Sequence, residues 1–244
     1  MAIGSDRTQG AFVKRRVKIC GIRDHEALAA PLDAGADDIG LVFFPPSPRN
    51  VSVAEGEALA DLARGRARIV ALTVDADDLL LQRIADRIRP DLIQLHGRET
   101  PDRAAAIRAG FGVPVMKVVK VATARDAEAA LAFAEVADLV LFDARPPKGA
   151  DRPGGHGVAF DWRALDGVRD RVRYMLSGGL TAANVVEAIR ATGATAVDVS
   201  SGVERAPGVK DPALIRSFIA AARSVDQVPA AAPCPSPHIG STTQ

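Results

Sequence analysis

The feature that most restricts this chain is a repeated switch of hydrophobic period. Between residues 17 and 222, short runs rich in Val, Ile and Leu alternate with Ala- and Leu-rich stretches of helical period. A strand exposes side chains with period two and a helix with period 3.6, so the alternation reads as successive βα units. Strands are expected at residues 17–20, 38–44, 69–74, 92–96, 115–119, 139–142, 173–176 and 196–199. Helices are expected at 24–34, 53–64, 77–88, 101–109, 124–134, 181–191 and 212–222, several of them opening on Asp, Thr or Pro as N-terminal signals do. The sixth unit differs: residues 144–160 form a long loop rich in Gly and Pro, leaving room for only a short helix at 161–165. Long loops in compact domains are often functional.

Eight units at about 26 residues each match an α/β fold of the single-domain (β/α)8 TIM barrel type. An open doubly wound sheet is the competing arrangement. It is disfavoured because no GxGxxG follows the first strand, whereas glycine-containing turns follow the last two, where such barrels commonly bind phosphate. The barrel is expected over residues 16–223, with residues 1–15 an N-terminal tail and 224–244 a disordered C-terminal tail.

Charge narrows the partners. The chain has 244 residues, with 31 Lys plus Arg against 30 Asp plus Glu. It therefore lacks the basic excess that drives nucleic-acid binding, while small anionic ligands stay open. The cysteines are Cys20 and Cys234, too few for a disulfide framework or a four-cysteine zinc site. His25, His96, His156 and His238 lack metal-ligand spacing, so no metal is expected. No apolar run approaches the ~20 residues of a membrane helix, and the polar N-terminus does not read as a signal peptide, so a cytoplasmic location is expected.

On the barrel reading, chemistry belongs at the C-terminal ends of the strands. Ser177-Gly178-Gly179-Leu180-Thr181 follows the seventh strand and opens the next expected helix, and Ser200-Ser201-Gly202-Val203 follows the eighth. Each turn alone is plain punctuation; as neighbours they converge on one point where backbone N–H groups can bind phosphate. Cys20 ends the first strand. It is either a small buried hydrophobe or, with its pKa lowered by a nearby cation, a base. Asp143 ends the sixth strand behind an apolar run, as a capping carboxylate or as an acid kept protonated by apolar neighbours. Arg49 lies in the proline-stiffened loop 43–52, which favours a fixed fork able to hold a carboxylate. Gln94 and His96 share a strand face and read as structural hydrogen-bonding partners.

These residues resemble the phosphoribosylanthranilate isomerase family over roughly residues 17–222. The similar segments are Val17-Lys18-Ile19-Cys20-Gly21-Ile22, the 43–52 loop, Gln94-Leu95-His96-Gly97, Leu141-Phe142-Asp143, Gly154-Gly155-His156-Gly157, Phe160-Asp161-Trp162, residues 176–180, and residues 197–204 followed by Pro207-Gly208. The third strand departs from the family pattern, reading Ala71-Leu72-Thr73-Val74-Asp75, and His156 stands where a small hydroxyl residue is usual. The resemblance implies a (β/α)8 barrel, monomeric or homodimeric, that needs no cofactor and acts on a small phosphorylated substrate by an Amadori rearrangement. It implies Cys20 as general base, Asp143 as general acid and Arg49 as the holder of the anthranilate carboxylate. It further implies Asp198 as a substrate contact and Gly178, Gly179, Ser201 and Gly202 as the phosphate turns. The alternatives are a barrel such as indole-glycerol-phosphate synthase or a sugar-phosphate epimerase, whose catalytic Lys and Glu or metal-binding His and Asp are not found, and a non-catalytic phospho-ligand barrel indifferent to Cys20 and Asp143.

Overall fold

The computed structural model describes residues 15–145 and 159–225. Eight parallel strands close into a barrel in chain order: β1 (Arg16–Cys20), β2 (Asp38–Phe43), β3 (Arg68–Thr73), β4 (Leu92–Leu95), β5 (Val115–Val121), β6 (Leu139–Ala144), β7 (Tyr174–Leu176) and β8 (Ala196–Val199). Closure comes from β1, whose Lys18 stands opposite Asp38 on one side and Asp198 on the other. The helices are α1 (His25–Asp33), α2 (Val53–Ala63), α3 (Asp78–Arg87), α4 (Pro101–Phe111), α5 (Ala124–Glu128), α6 (Val185–Thr192) and α7 (Pro212–Ser224). Asp24, Ser52, Asp77, Thr100 and Asp211 each accept a backbone N–H at a helix start, contacts worth about 1 kcal/mol apiece.

Three features differ from the sequence expectation. The helix expected at 124–134 is α5 followed by a 3-10 segment, Ala129–Phe133, whereas the short helix expected at 161–165 is present as the 3-10 turn Trp162–Leu165. The helix expected from residue 181 begins at Val185, because Asn184 ties the preceding turn by accepting from Thr181 N at 2.8 Å and donating to Gly179 O at 3.0 Å. Finally, a hairpin of β9 (Glu204–Ala206) and β10 (Val209–Lys210) stands between β8 and α7. The expected tails, apart from Arg15, Ser224 and Val225, lie outside the described residues, as do His156, His238 and Cys234.

Strand alternation divides the interior in two. Ile19, Ile39, Leu41, Ile93, Phe142 and Val197 face the helices and form the larger core. Val70, Leu92, Met116, Val118, Leu141, Met175 and Ala196 fill the lumen. A barrel of this size is filled by side chains, so a site can open only above that apolar plug, at the ends toward which the strands run.

Candidate active site

Parity decides which side chains reach the mouth. Cys20 follows Lys18 on the inner face of β1 and packs with Val42 and Leu72, inner residues of β2 and β3. Asp143 of β6 meets His96, which follows β4, with Nε2 3.6 Å from Oδ2. Since β4 and β6 are separated by β5, the two meet over the lumen. The expected base and acid therefore project into one cup from strands that do not touch, and both are buried.

On the β1–β8 side the cup is lined with paired charge. Lys18 is wholly buried and donates to Asp198 Oδ1 at 2.8 Å, while Ser177 Oγ donates to Asp198 Oδ2 at 3.1 Å. Burial alone would lower the Lys18 pKa, but Asp198 and Cys20 outweigh it and hold the ammonium above the ordinary lysine value. Burial pushes the Cys20 thiol up; Lys18 and Lys210 oppose the rise and Asp198 adds to it. The cation expected beside Cys20 is thus present, but the thiol's pKa is raised rather than lowered. Desolvation wins because Cys20 is only 4% exposed.

Arg49 is fixed, though not by the prolines alone. Its Nε and Nη2 donate to Glu204 at 2.8 and 2.7 Å, a bidentate pair. Glu204 also accepts from Lys210 Nζ at 2.8 Å, and that ammonium donates to Ser200 O at 3.0 Å. Against burial, these two cations hold the Glu204 carboxyl below its ordinary value. The arginine crosses Gly21 so closely that a Cβ there, at φ +83°, would lie 2.5 Å from Arg49 Cδ. Gly208, at φ +78°, likewise admits the Pro48 carbonyl, so the hairpin packs on the loop that carries Arg49.

The β4–β6 side is different. Gln94 Nε2 lies 3.2 Å from His96 Nδ1, and Asp143 Oδ1 accepts from the N–H of Ala144 at 3.0 Å. Lys120, lowered in pKa by burial and by Lys117, is partly restored by Asp143. These surroundings are more polar than the apolar run before Asp143 suggests. Below the loop that carries His96, Lys117 donates to Leu95 O, Gly97 O and Glu99 Oε2 at 3.2, 2.7 and 2.8 Å, tying that loop to β5.

The two glycine turns meet. A Cβ on Gly202 would stand 1.9 Å from Leu180 O, and one on Gly178, at φ +89°, would stand 2.4 Å from Ala144 N. Only bare backbone allows this approach, and it sets the turn containing Ser201 and Gly202 directly against the one containing Gly178 and Gly179. Because α6 starts at Val185, the Gly178-Gly179 turn does not open straight into a helix, and the local N–H groups of the turns are what remain for an anion.

The sequence-expected residues thus gather around one mouth. Sequence reasoning missed Lys18, Glu204 and Lys210. Lys18 carried a signal, a lysine two residues before Cys20 in an otherwise apolar strand. Glu204 and Lys210 carried a fainter one, flanking Pro207-Gly208, a dipeptide that marks a turn. Among the described residues no cluster of three or more His, Cys, Asp and Glu side chains could hold a metal ion, and no helix is long and apolar enough to cross a membrane.

Comparison with known proteins agrees with this geometry. The family model for N-(5'-phosphoribosyl)anthranilate (PRA) isomerase matches residues 17–221. The chain is 57% identical over 211 residues to N-(5'-phosphoribosyl)anthranilate isomerase of Rhodopseudomonas palustris strain HaA2, covering 86% of this chain and 97% of that one. It is 56% identical over 207 residues to the protein of the same name from Paramagnetospirillum magneticum, covering 85% and 96%. Among solved structures, phosphoribosyl anthranilate isomerase from Thermotoga maritima superposes with a TM-score of 0.78 at 35% identity, over 86% of this chain and 99% of that one. A structure of phosphoribosyl anthranilate isomerase in complex with reduced 1-(o-carboxyphenylamino)-1-deoxyribulose 5-phosphate gives a TM-score of 0.76 at 34% identity, over 86% and 99%. The chain belongs to the N-(5'-phosphoribosyl)anthranilate isomerase family.

Proposed function

We infer that this mouth converts N-(5-phosphoribosyl)anthranilate into 1-(2-carboxyphenylamino)-1-deoxyribulose 5-phosphate, an aldose-to-ketose isomerisation in tryptophan biosynthesis. The observation that carries the assignment of roles is the projection of Cys20 and Asp143 into one lumen from strands that do not pair. Asp143 delivers a proton to the ring oxygen as the bond from that oxygen to C1′ breaks, and the anthranilate nitrogen's lone pair closes to an iminium. The iminium makes the C2′ hydrogen acidic. Cys20, as thiolate, removes it, and the bonding pair becomes the double bond of an enolamine. The enolamine loses its 2′-hydroxyl proton and gains one at C1′, giving the ketone.

Orientation comes from the ends of the substrate. The paired turns at Gly178, Gly179, Ser201 and Gly202 bind its phosphate through backbone N–H groups. Arg49, held by Glu204 through Nε and Nη2, directs the rest of its guanidinium to the anthranilate carboxylate. Asp198, committed to Lys18 and Ser177, supports the floor beneath the sugar.

The test is the loss of fluorescence of freshly generated phosphoribosylanthranilate on adding protein. The parent chain is expected to turn it over, and Cys20→Ser and Asp143→Asn each to lower kcat by at least ~100-fold, the usual contribution of a positioned acid or base. Near-parent turnover in either variant removes that residue from its role.

A further inference from the structure

We propose that Lys18 is a positioning residue for the general base: its buried ammonium, anchored by Asp198, is the built-in countercharge of the Cys20 thiolate. The inference rests on the reading of Cys20 as the base and adds to it the group that makes the charged sulfur tolerable inside the barrel.

Geometry carries the argument. Lys18 and Cys20 share the inner face of β1, where the lysine ammonium is held 2.8 Å from Asp198 Oδ1 and acts electrostatically on the sulfur. Both atoms occupy the notch left by Gly40 on the adjoining strand, where a Cβ would stand 2.8 Å from Cys20 Sγ and 3.1 Å from Lys18 Nζ. Any larger residue at 40 would drive sulfur or ammonium away, so the missing side chain makes room for the pair.

A purely structural role accounts for less. β1 and β8 are already joined by their backbone ladder, and a buried ion pair is often no more stabilising than apolar residues of like volume. Neither fact requires the ammonium to reach the sulfur. The charge balance around the sulfur favours a thiolate there. Among the described residues, the charged groups around Cys20 are Lys18 on β1, Asp198 on β8, Arg49 on the loop after β2, and Glu204 and Lys210 on the hairpin; on β2, Gly40 and Val42 bring none, and Asp38, level with Lys18, is paired with Arg16. That is three cations against two carboxylates, so one positive charge is left over. Arg49 and Lys210 share Glu204. A thiolate at Cys20 would balance the cluster, and Lys18 is the cation that shares the Gly40 notch with the sulfur.

The experiment titrates the thiolate ultraviolet absorbance of the full chain carrying Cys234→Ser, in which Cys20 is the remaining cysteine. Adding Lys18→Met should raise the midpoint by roughly one to three pH units, the size expected when an opposite charge at contact distance is lost. The pH limb of kcat/KM should move with it. Because Lys18→Met leaves Asp198 buried without its partner, the Lys18→Met/Asp198→Asn chain, which removes both charges, is titrated beside it. Its midpoint should also rise, by less, since the carboxylate that opposed the thiolate has gone too. An unmoved midpoint in both chains, with only a lower melting temperature, overturns the proposal while leaving Cys20 as base. Near-parent turnover by Cys20→Ser overturns the base assignment, and this inference with it.

Discussion

The two sides of the barrel mouth follow opposite electrostatic plans. On the β1–β8 side, Lys18, Asp198, Ser177, Arg49, Glu204 and Lys210 are joined in buried ion pairs and hydrogen bonds, and the sulfur sits among them. On the β4–β6 side, Gln94 Oε1 and His96 Nε2 are buried with no hydrogen-bond partner among the described residues, and Asp143 meets His96 only at 3.6 Å. Native chains rarely leave buried polar atoms unmatched, and where they do a function is the usual reason. The contrast teaches that the proposed base is held by fixed charge, whereas the groups around the proposed acid keep hydrogen-bonding capacity that a ligand can use.

The contrast breaks if the paired side proves dispensable. Glu204→Ala leaves two buried cations facing each other and should cost about 3–5 kcal/mol in denaturant unfolding; a loss under about 1 kcal/mol would mean that the hairpin carries no such charge. Arg49→Met should raise KM for the carboxylated substrate by an amount equivalent to about 2 kcal/mol, as when a charged hydrogen-bonding partner is lost. Unchanged KM and kcat would take Arg49 out of the site.

Two smaller effects sharpen the comparison. The folded Glu204 carboxyl titrates below its ordinary value, so its stabilisation is full above the unfolded pKa of about 4.3 and is lost as pH falls through the lower folded one. Acid unfolding of Glu204→Gln should therefore be flatter than the parent's in that window, and parallel acid limbs would contradict the pairing. On the opposite side, Gln94→Leu deletes an amide whose oxygen has no partner among the described residues. It should change stability by no more than about 1 kcal/mol while lowering kcat/KM. A large loss of stability with intact kcat/KM would reverse the assignment of that side to the ligand.

The strands and most helices were legible in the sequence because burial on two faces leaves continuous apolar runs and the caps are local. The register of Cys20 and Asp143 was legible too, since strand parity alone sets which side chains enter the lumen. The late start of α6 was not, because a side-chain tie from Asn184 overrides a sequence that reads as helix from residue 181. Nor was the Arg49–Glu204 pair, whose members are 155 positions apart and meet only after a three-residue strand and a two-residue strand fold back over the mouth. The rise in the Cys20 pKa was hidden for the same reason: sequence shows a neighbouring lysine but not how completely the barrel excludes water from the sulfur.

The most direct test of the division of labour across the mouth is the isotope effect on turnover of substrate carrying deuterium at ribose C2′, measured in Cys20→Ser and in Asp143→Asn. If the sulfur takes that hydrogen and the carboxyl opens the ring, crippling the sulfur makes hydrogen removal limiting and enlarges the effect, while crippling the carboxyl makes ring opening limiting and suppresses it. Equal isotope effects in the two variants, or the reverse order, would contradict the account.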